Sequence, residues 1–409
     1  MPTLATQPQS AQVSSVQLVR QPVFDTRNAV VGYELRYRAA AAGGDPLIQS
    51  CLSGAVDDLR AGRPAWVYPD WASLTDDTFG FIDPSSLCLV LQPEHIACPA
   101  ALERVSALAA RGFTIVLGDA GEEDLSSIPQ CEYVKHAGIV RLDLLRHNLP
   151  TLLGLADDFA ARGKRVAVDG VVDTEAFDAC REAGIHLMQG PHFAHPEPIA
   201  DAELPASTAT ALRVMAMVRD ANTPDRDIEL ALSADPAIVL QLLRIVNSAA
   251  IGGRGITSIG HALRMSGRAN VARWLSLAAY ATPKHATGLE RELTQQAVQR
   301  AFFAEALART SRKQDPSSAF LVGLFSLMDA VFRMPIADVI ARVNLADEVR
   351  DALLDRTGPC ADTLSLIEAY ELGMWEPAAA AAAALGIDAN TLGPMYNASI
   401  KMARELVAA

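Results

Sequence analysis

Residues 16–204 alternate between short apolar runs and amphipathic segments. The apolar runs are rich in Val, Ile and Leu, and they predict strands at 66–68, 87–92, 113–117, 139–142 and 165–168. Segments 99–111 and 151–162 carry apolar residues at helical spacing, and they end at Gly112 and Gly163, as helices commonly do. Repeated strand–helix units predict a parallel sheet, and six or more in a row indicate a barrel.

Beyond Pro205 the pattern changes, because apolar residues recur only at helical spacing and β-rich runs disappear. The predicted helices are 207–221, 226–233, 236–247, 258–265, 269–281, 289–312, 315–333, 346–356, 360–373 and 389–407. The segment 196–207 contains three prolines and is the predicted linker. We therefore expect an α/β domain at 16–204, an all-α domain at 205–409, and a disordered tail at 1–15, which is rich in Gln, Ser and Pro.

Composition excludes several classes of protein. The formal net charge is −13 and no basic run occurs, which argues against nucleic-acid binding. The six cysteines show no CxxC pair and no metal-binding spacing, so they are predicted to be reduced, packed thiols. The first residues resemble no signal peptide, and the longest apolar stretch, 378–384, is too short to span a membrane. The chain is expected to be cytoplasmic.

Six short motifs occur in order over about 170 residues of the first half. They are RQPVFD at 20–25, VGYELR at 31–36, LGDAG at 117–121, VRLD at 140–143, VDGV at 168–171 and LMQGPHF at 187–193. In sequence and order they resemble the motifs of EAL domains, a family that hydrolyses the second messenger cyclic di-GMP. The resemblance implies a modified (β/α)8 barrel of the TIM type.

The resemblance also implies a site for two divalent cations, held by carboxylates and one amide at the carboxyl ends of the strands. Several positions of this site are changed. The family's asparagine is Tyr68, one glutamate is Gln92, the first aspartate of a pair is Gly118, the lysine is Arg141, and a later glutamate is Asp169. The positions that keep a family side chain are Glu34, Asp119, Asp143 and Gln189. We predict a non-catalytic site without a resident cofactor, at which the carboxylates hold one weakly bound Mg²⁺ at most.

Binding of cyclic di-GMP is a separate question, because a degenerate site can retain its ligand. The family recognises the ligand partly through an arginine near the EAL triplet, which implies Arg36 or Arg38 here. As an alternative to metal binding, Asp119 and Asp143 would simply cap the segments that follow them. His186, His192 and His195 have a spacing that favours surface or core positions over a metal site.

The second half resembles HDOD domains. The resemblance is carried by DPA at 235–237, LLRIVNSA at 242–249, ITSIGHAL at 256–263, AFLVGLFSLMD at 319–329 and AYELGMW at 369–375. Related HD phosphohydrolases use a His-Asp doublet, but the corresponding positions are Ser326 and Leu327, and no histidine follows His285. No metal site is expected in this domain. Tyr370, Glu371 and Trp375 are predicted to form a buried polar anchor or, alternatively, part of a partner surface.

The sequence therefore predicts a non-enzymatic bacterial signalling protein that contacts other signalling proteins through its HDOD domain or its barrel surface. Two alternatives remain at this point. The first is an effector that binds cyclic di-GMP without cleaving it, and the second is a weak residual phosphodiesterase.

Overall fold

The computed structural model describes most of both halves of the chain. The described residues are 17–38, 51, 54–70, 74, 77–91, 99–118, 132–194, 203–248, 251, 255–280, 286–341, 343 and 345–408. The predicted tail at 1–15, Gln92, Asp119, His195 and most of the predicted linker lie outside these ranges.

The first half folds into a closed barrel of eight strands in sequential order, which confirms the predicted (β/α)8 class. The strands are β1 Gln17–Asp25, β2 Val30–Arg38, β3 Ala65–Val67, β4 Leu87–Leu91, β5 Thr114–Leu117, β6 Ile139–Asp143, β7 Arg165–Asp169 and β8 Leu187–Met188. Side chains such as Trp66, Val90, Val116 and Ile139 fill the barrel interior as one buried apolar cluster. The barrel is therefore packed and does not form a pore.

The prediction of a wholly parallel sheet is wrong at one strand. β1 runs antiparallel to both β2 and β8, whereas the strands from β2 to β8 run parallel to one another. Only four residues separate β1 from β2, which is enough for a hairpin turn but not for a parallel crossover. The Asp25 carboxylate closes this turn by accepting hydrogen bonds from the Arg27 and Ala29 backbone N–H groups at 2.9 and 2.8 Å.

Helices follow the strands of the barrel. Those described are α1 Ala55–Arg60, α2 Pro99–Ala110, α3 Tyr133–His136, α4 Leu149–Ala161 and α5 Thr174–Glu182. The two helices predicted at 99–111 and 151–162 are confirmed as α2 and α4. Gly112 and Gly163 follow them with φ of 98° and 72°, a left-handed conformation that glycine adopts without steric cost.

The second half is helical, as predicted. Its helices are α6 Ala206–Arg219, α7 Asp225–Ser233, α8 Pro236–Asn247, α9 Ile259–Ala278, α10 Gly288–Ser311, α11 Pro316–Phe325, α12 Met328–Phe332, α13 Ile336–Ile340, α14 Asp347–Leu354, α15 Pro359–Glu371, α16 Trp375–Leu385 and α17 Leu392–Ala408. The two helices predicted at 258–265 and 269–281 form one element, α9, which is broken at Gly267 with φ of 75°. Helices α13 and α16 are not predicted by the sequence pattern.

A hydrophobic core at the interface contains residues of both the barrel and the helices. Helices α15 and α17 pack against β1, and α10 packs against β2. Phe303, Tyr370 and Tyr396 of these helices form a ring cluster with centroids 5.1–5.7 Å apart, and they belong to the same buried cluster as Leu18 and Leu35 of the barrel. We infer that the two halves do not separate without exposing this core to water.

The described cysteines are packed rather than paired. Cys88, Cys180 and Cys360 are buried free thiols, and burial raises the pKa of each to about 11. Because the thiolate is the reactive form, these side chains act as small apolar residues at neutral pH. Among the helices of the described ranges, none is both long and apolar enough to cross a bilayer.

Candidate functional site

The site lies at the carboxyl ends of the parallel strands, and Arg141 of β6 is its centre. The Arg141 guanidinium lies between two carboxylates, with Nη1 3.4 Å from Glu34 Oε2 and Nη2 hydrogen-bonded to Asp169 Oδ2. Glu34 belongs to β2 and Asp169 to β7, so closure of the barrel brings these charges together. The Arg141 and Glu34 side chains are almost fully buried, at 4% and 1% exposure. A buried cationic side chain therefore lies between two acidic groups, one of them buried and one partly exposed.

Tyr68 completes this network. Its hydroxyl donates to Glu34 Oε1 at 2.8 Å and accepts a hydrogen bond from Arg141 Nη1. The Arg36 Nε also donates to Glu34 Oε1, at 3.1 Å. Tyr68 packs against the apolar cluster of the barrel interior and contributes a hydroxyl where the family has an amide. The Glu34 carboxylate is thus held by two hydrogen bonds to Oε1 and by the ion pair between Oε2 and Arg141.

These contacts determine the charge state of Glu34. Burial alone would raise the pKa of this carboxyl, but the guanidinium groups of Arg141 and Arg36 and the hydrogen bond from Tyr68 outweigh burial and lower the pKa to about 2. Glu34 is therefore ionised at every physiological pH.

We expect Glu34→Gln to destabilise the protein by roughly 3 kcal/mol near neutral pH, given a pKa of about 2 in the folded state. A lowered carboxyl pKa stabilises the fold above the ordinary value of 4.5, and this contribution is lost as the pH falls towards 2. Urea unfolding of both proteins should give a constant difference above about pH 5 that shrinks at lower pH. A difference that persists unchanged down to about pH 3 would contradict this assignment.

Two further positions of the predicted site have structural roles. Asp143 Oδ1 accepts a hydrogen bond from the Leu145 backbone N–H at 2.7 Å, and so organises the turn after β6. At Gly118, an added Cβ would lie 3.2 Å from the Val90 side chain and 3.7 Å from that of Arg141. A side chain at position 118 would therefore crowd the arginine.

Gln189 faces a small cavity next to these charges. Val23, Trp66, Asp169 and Gln189 are among its lining residues, and its volume of about 10 Å³ corresponds to one water molecule at most. Gln189 Nε2 donates to Gln21 Oε1 of β1 at 3.2 Å. The space next to the Arg141 guanidinium therefore admits no group larger than one water molecule.

The residues described do not fit a two-cation centre. Glu34 and Asp169 already bind a guanidinium, Tyr68 offers a hydroxyl instead of an amide, and Asp143 serves a turn. Within the described ranges, no three His, Cys, Asp or Glu side chains are placed to hold a metal ion together. A divalent cation would have to displace a buried arginine before it could bind these carboxylates.

The two arginines predicted to recognise a ligand lie at the mouth of the barrel. Arg36 contacts Glu34, and its side chain lies beside Gly373, since a Cβ at Gly373 would be 3.4 Å from Arg36 Cδ. Arg38 Nη2 lies 3.7 Å from Glu376 Oε1 of α16 in an exposed ion pair. The turn between α15 and α16 therefore borders the mouth of the barrel, which the sequence did not indicate.

The helical half has its own buried charge cluster. Glu371 Oε2 of α15 accepts hydrogen bonds from Arg300 Nε and Nη2 at 2.9 and 2.7 Å and from Gln296 at 3.1 Å. Arg300 Nη1 donates to Ser326 Oγ at 3.1 Å, at the position of the family's His-Asp doublet. Leu327 beside it is buried in the apolar core. An ion pair thus lies beside the position that the resemblance assigns to the His-Asp doublet.

Tyr370 and Glu371 form an anchor between the two halves of the chain. Both side chains are buried, and the Tyr370 hydroxyl donates to the Leu18 carbonyl of β1 at 3.4 Å. The Trp375 ring packs on that of Tyr370 with centroids 5.6 Å apart. These contacts agree with the anchor and not with a free partner surface.

A second cluster at the domain interface was missed entirely. Tyr33 of β2 donates to Glu292 Oε2 of α10 at 2.7 Å, and Arg20 Nη2 of β1 lies 3.4 Å from Glu292 Oε1. The Arg20 guanidinium stacks over the Tyr33 ring at 4.4 Å. Arg20 and Tyr33 belong to the motifs at 20–25 and 31–36, but Glu292 belongs to no motif. Nothing in the sequence therefore indicated that these residues pair.

Two histidines and one asparagine outside these clusters have simple structural roles. His192 stacks on Phe177 with ring centroids 5.1 Å apart, and His186 is exposed, which are the core and surface positions expected. Asn247 Nδ2 donates to the carbonyls of Leu243 and Ile256, and Asn247 Oδ1 accepts from the Ile256 N–H. Asn247 therefore fastens the segment after α8 to the helix end.

Comparison with known proteins agrees with this architecture. The model of the HDOD domain family matches residues 204–338. The cyclic di-GMP phosphodiesterase CdgJ of Vibrio cholerae is 25% identical over 412 residues, covering 95% of this chain and 92% of the relative. YuxH, an uncharacterized protein of Bacillus subtilis, is 23% identical over 379 residues, covering 88% and 92%.

Solved structures similar to this chain align with it over less than half of its length. An EAL domain protein of Listeria monocytogenes is 18% identical with a TM-score of 0.35, covering 44% of this chain and 87% of that one. BlrP1 of Klebsiella pneumoniae, solved with manganese and cyclic di-GMP, is 18% identical with a TM-score of 0.36, covering 45% and 56%. With its ordered motifs, its closed barrel and its matched helical domain, the chain is an EAL-like barrel followed by an HDOD domain.

Proposed function

We propose that this protein is a non-catalytic member of cyclic di-GMP signalling that acts through contacts with other signalling proteins. The observation that carries the proposal is the Arg141 guanidinium between Glu34 and Asp169. Because the guanidinium is a planar fork and not the point charge of the family's lysine, it pairs with both carboxylates that a divalent cation would need. Without bound cations, no water is activated for attack on the phosphodiester.

The fold survives the loss of chemistry because the two depend on different residues. The barrel is held by strand side chains such as Trp66 and Val90, whereas the former chemistry lies at strand ends. Tyr68 and Arg141 fill the site with a network that itself contributes to the packing of the barrel. The domain is thereby suited to act as a rigid scaffold.

Exposed apolar side chains around the barrel mouth support a role in protein contacts. Leu145 and Val172 follow β6 and β7 and are 80% and 53% exposed, while Leu372 and Met374 of the α15–α16 turn are 55% and 48% exposed. They come from both halves of the chain, and each would lose contact with water upon binding a partner.

Two observations favour the alternative functions, which are residual hydrolysis of cyclic di-GMP and its binding without hydrolysis. The relative CdgJ is named as a cyclic di-GMP phosphodiesterase, which favours residual hydrolysis. The Arg36 side chain is 40% exposed at the barrel mouth, and a guanidinium suits a phosphate group, which favours binding without hydrolysis.

The deciding experiment incubates the purified full-length protein with cyclic di-GMP and either Mg²⁺ or Mn²⁺. We expect no linear dinucleotide by chromatography, and steady formation of it would overturn the proposal. Calorimetry with the same nucleotide tests the effector alternative, for which saturable micromolar binding is the diagnostic result. Arg36→Met and Glu34→Ala then locate any signal, because activity or binding that survives both does not arise from this site.

A further inference from the structure

One residue of β1, Gln21, lies between the barrel site and the Arg300–Glu371 cluster of the helical half. Gln21 lies opposite Glu34 in the β1–β2 register. Its Oε1 accepts a hydrogen bond from Gln189 Nε2 at 3.2 Å, and its Nε2 donates to the Glu371 backbone carbonyl at 3.3 Å. Gln189 lines the cavity next to Arg141 and Asp169. One amide therefore connects the barrel site to the helical half.

On the helical side the connection passes through Glu371 itself, from its backbone carbonyl to its side-chain carboxylate. The Glu371 carboxylate binds Arg300 through two hydrogen bonds, and Arg300 donates to Ser326 Oγ, which in turn donates to the Gly323 carbonyl at 2.8 Å. Gln189, Glu371 and Arg300 are 6–7% exposed. Hydrogen bonds linked through Glu371 thus lead from the barrel cavity to the turn between α11 and α12, with Gln21 and Ser326 half-buried along the way.

We infer that Gln21 couples the barrel site to the α11–α12 turn, so that a change in the charge of the barrel site alters the stability of that turn. In a buried, close-packed network, moving one member forces its partners either to follow or to lose a hydrogen bond. Glutamine suits this position because its amide offers a donor and an acceptor at the end of one side chain. The coupling is independent of whether the barrel hydrolyses a nucleotide.

The same strand supplies a matched control. Gln17 Nε2 donates to the Ala389 carbonyl at 2.7 Å, so it also ties β1 to the helical half through an amide–carbonyl hydrogen bond. That bond contacts neither charge cluster. Gln17→Met and Gln21→Met therefore each remove one interdomain bond of the same kind, and only Gln21→Met cuts the chain.

The test is hydrogen exchange of the full-length protein with and without Asp169→Asn, which removes a charge beside Arg141. In the otherwise native chain we expect Asp169→Asn to speed exchange of the amides at 323–331 by about five-fold or more. This acceleration should persist in Gln17→Met and disappear in Gln21→Met. Amides of α7, far from the chain of hydrogen bonds, report any general loss of stability.

Two results would overturn the inference. One is an equal acceleration at 323–331 with and without Gln21→Met, and the other is no acceleration in the native background. If Gln21→Met fails to fold, Gln189→Met removes the preceding hydrogen bond and is expected to abolish the response in the same way.

Discussion

Arg141→Met is expected to destabilise the protein by about 3–5 kcal/mol, because it leaves Glu34 and Asp169 without their buried counter-charge. Arg36 still pairs with Glu34 in this variant, but the two carboxylates have lost the cation that lay between them, and such a place attracts a cation from solution. We therefore expect Mn²⁺ or Mg²⁺ to raise the melting temperature of this variant but not that of the native protein. A stabilisation of about 2.7 kcal/mol corresponds to a cation at 100 times its Kd. Thermal unfolding across a titration of each cation measures the effect.

Two variants make this result specific to the site. Arg141→Lys retains a positive charge and should respond to cations far less than Arg141→Met. Adding Glu34→Gln to Arg141→Met removes one of the two carboxylates and should abolish the response. A native protein that is stabilised by Mn²⁺ as strongly as the variant would show that the guanidinium does not occupy the place of a cation, and would weaken the proposed loss of catalysis.

Arg20→Met is also expected to lower the free energy of unfolding by about 3–5 kcal/mol. It leaves the buried carboxylate of Glu292 at the domain interface without its cationic partner. It also removes the donor to the Leu59 carbonyl at 3.1 Å and the cation stacked on Tyr33. Urea unfolding followed by circular dichroism and by tryptophan fluorescence provides the measurement. Since both halves contribute residues to the core at their interface, we expect the two signals to change together in a single transition.

Two control variants compare the loss of this buried ion pair with the loss of an exposed ion pair and with the loss of a single hydrogen bond. Arg350 pairs with Asp347 at 2.9 Å on the surface of α14, so Arg350→Met should cost less than about 1 kcal/mol. Tyr33→Phe removes only the hydrogen bond to Glu292 and should cost about 1.5–3 kcal/mol. If the barrel and the helices unfold in separate transitions, the interface is weaker than the shared core implies.

Local patterns were sufficient to predict most elements of the fold. The runs at 87–92 and 165–168 became β4 and β7, and the glycines at 112 and 163 end helices as expected. Helix α16 was missed because seven consecutive alanines carry no contrast between buried and exposed positions. In the structure, Ala378, Ala382 and Leu385 are buried and Ala381 packs against the core, whereas Ala380, Ala383 and Ala384 are exposed. The helix therefore has a buried and an exposed face in the structure, although the sequence shows alanine on both.

From the sequence, the candidate site could be predicted only through the family side chains that are replaced in this chain. Tyr68, Gly118 and Arg141 departed from the family pattern in ways that the sequence alone made visible. That Arg141 binds both Glu34 and Asp169 was not visible, since the three residues lie on separate strands more than 25 residues apart. The roles given to Gln92 and Asp119 stay predictions, because both lie outside the described residues.

The sequence by itself determined the architecture, because strand and helix periods, glycine positions and ordered motifs are local properties of the chain. Only the tertiary structure decided which charges meet. Closure of the barrel places Arg141 between two carboxylates, and packing of α10 and α15 on β1 and β2 buries Glu292 and Glu371 against the barrel. The energies of these pairs depend on distance and burial, which no local pattern encodes.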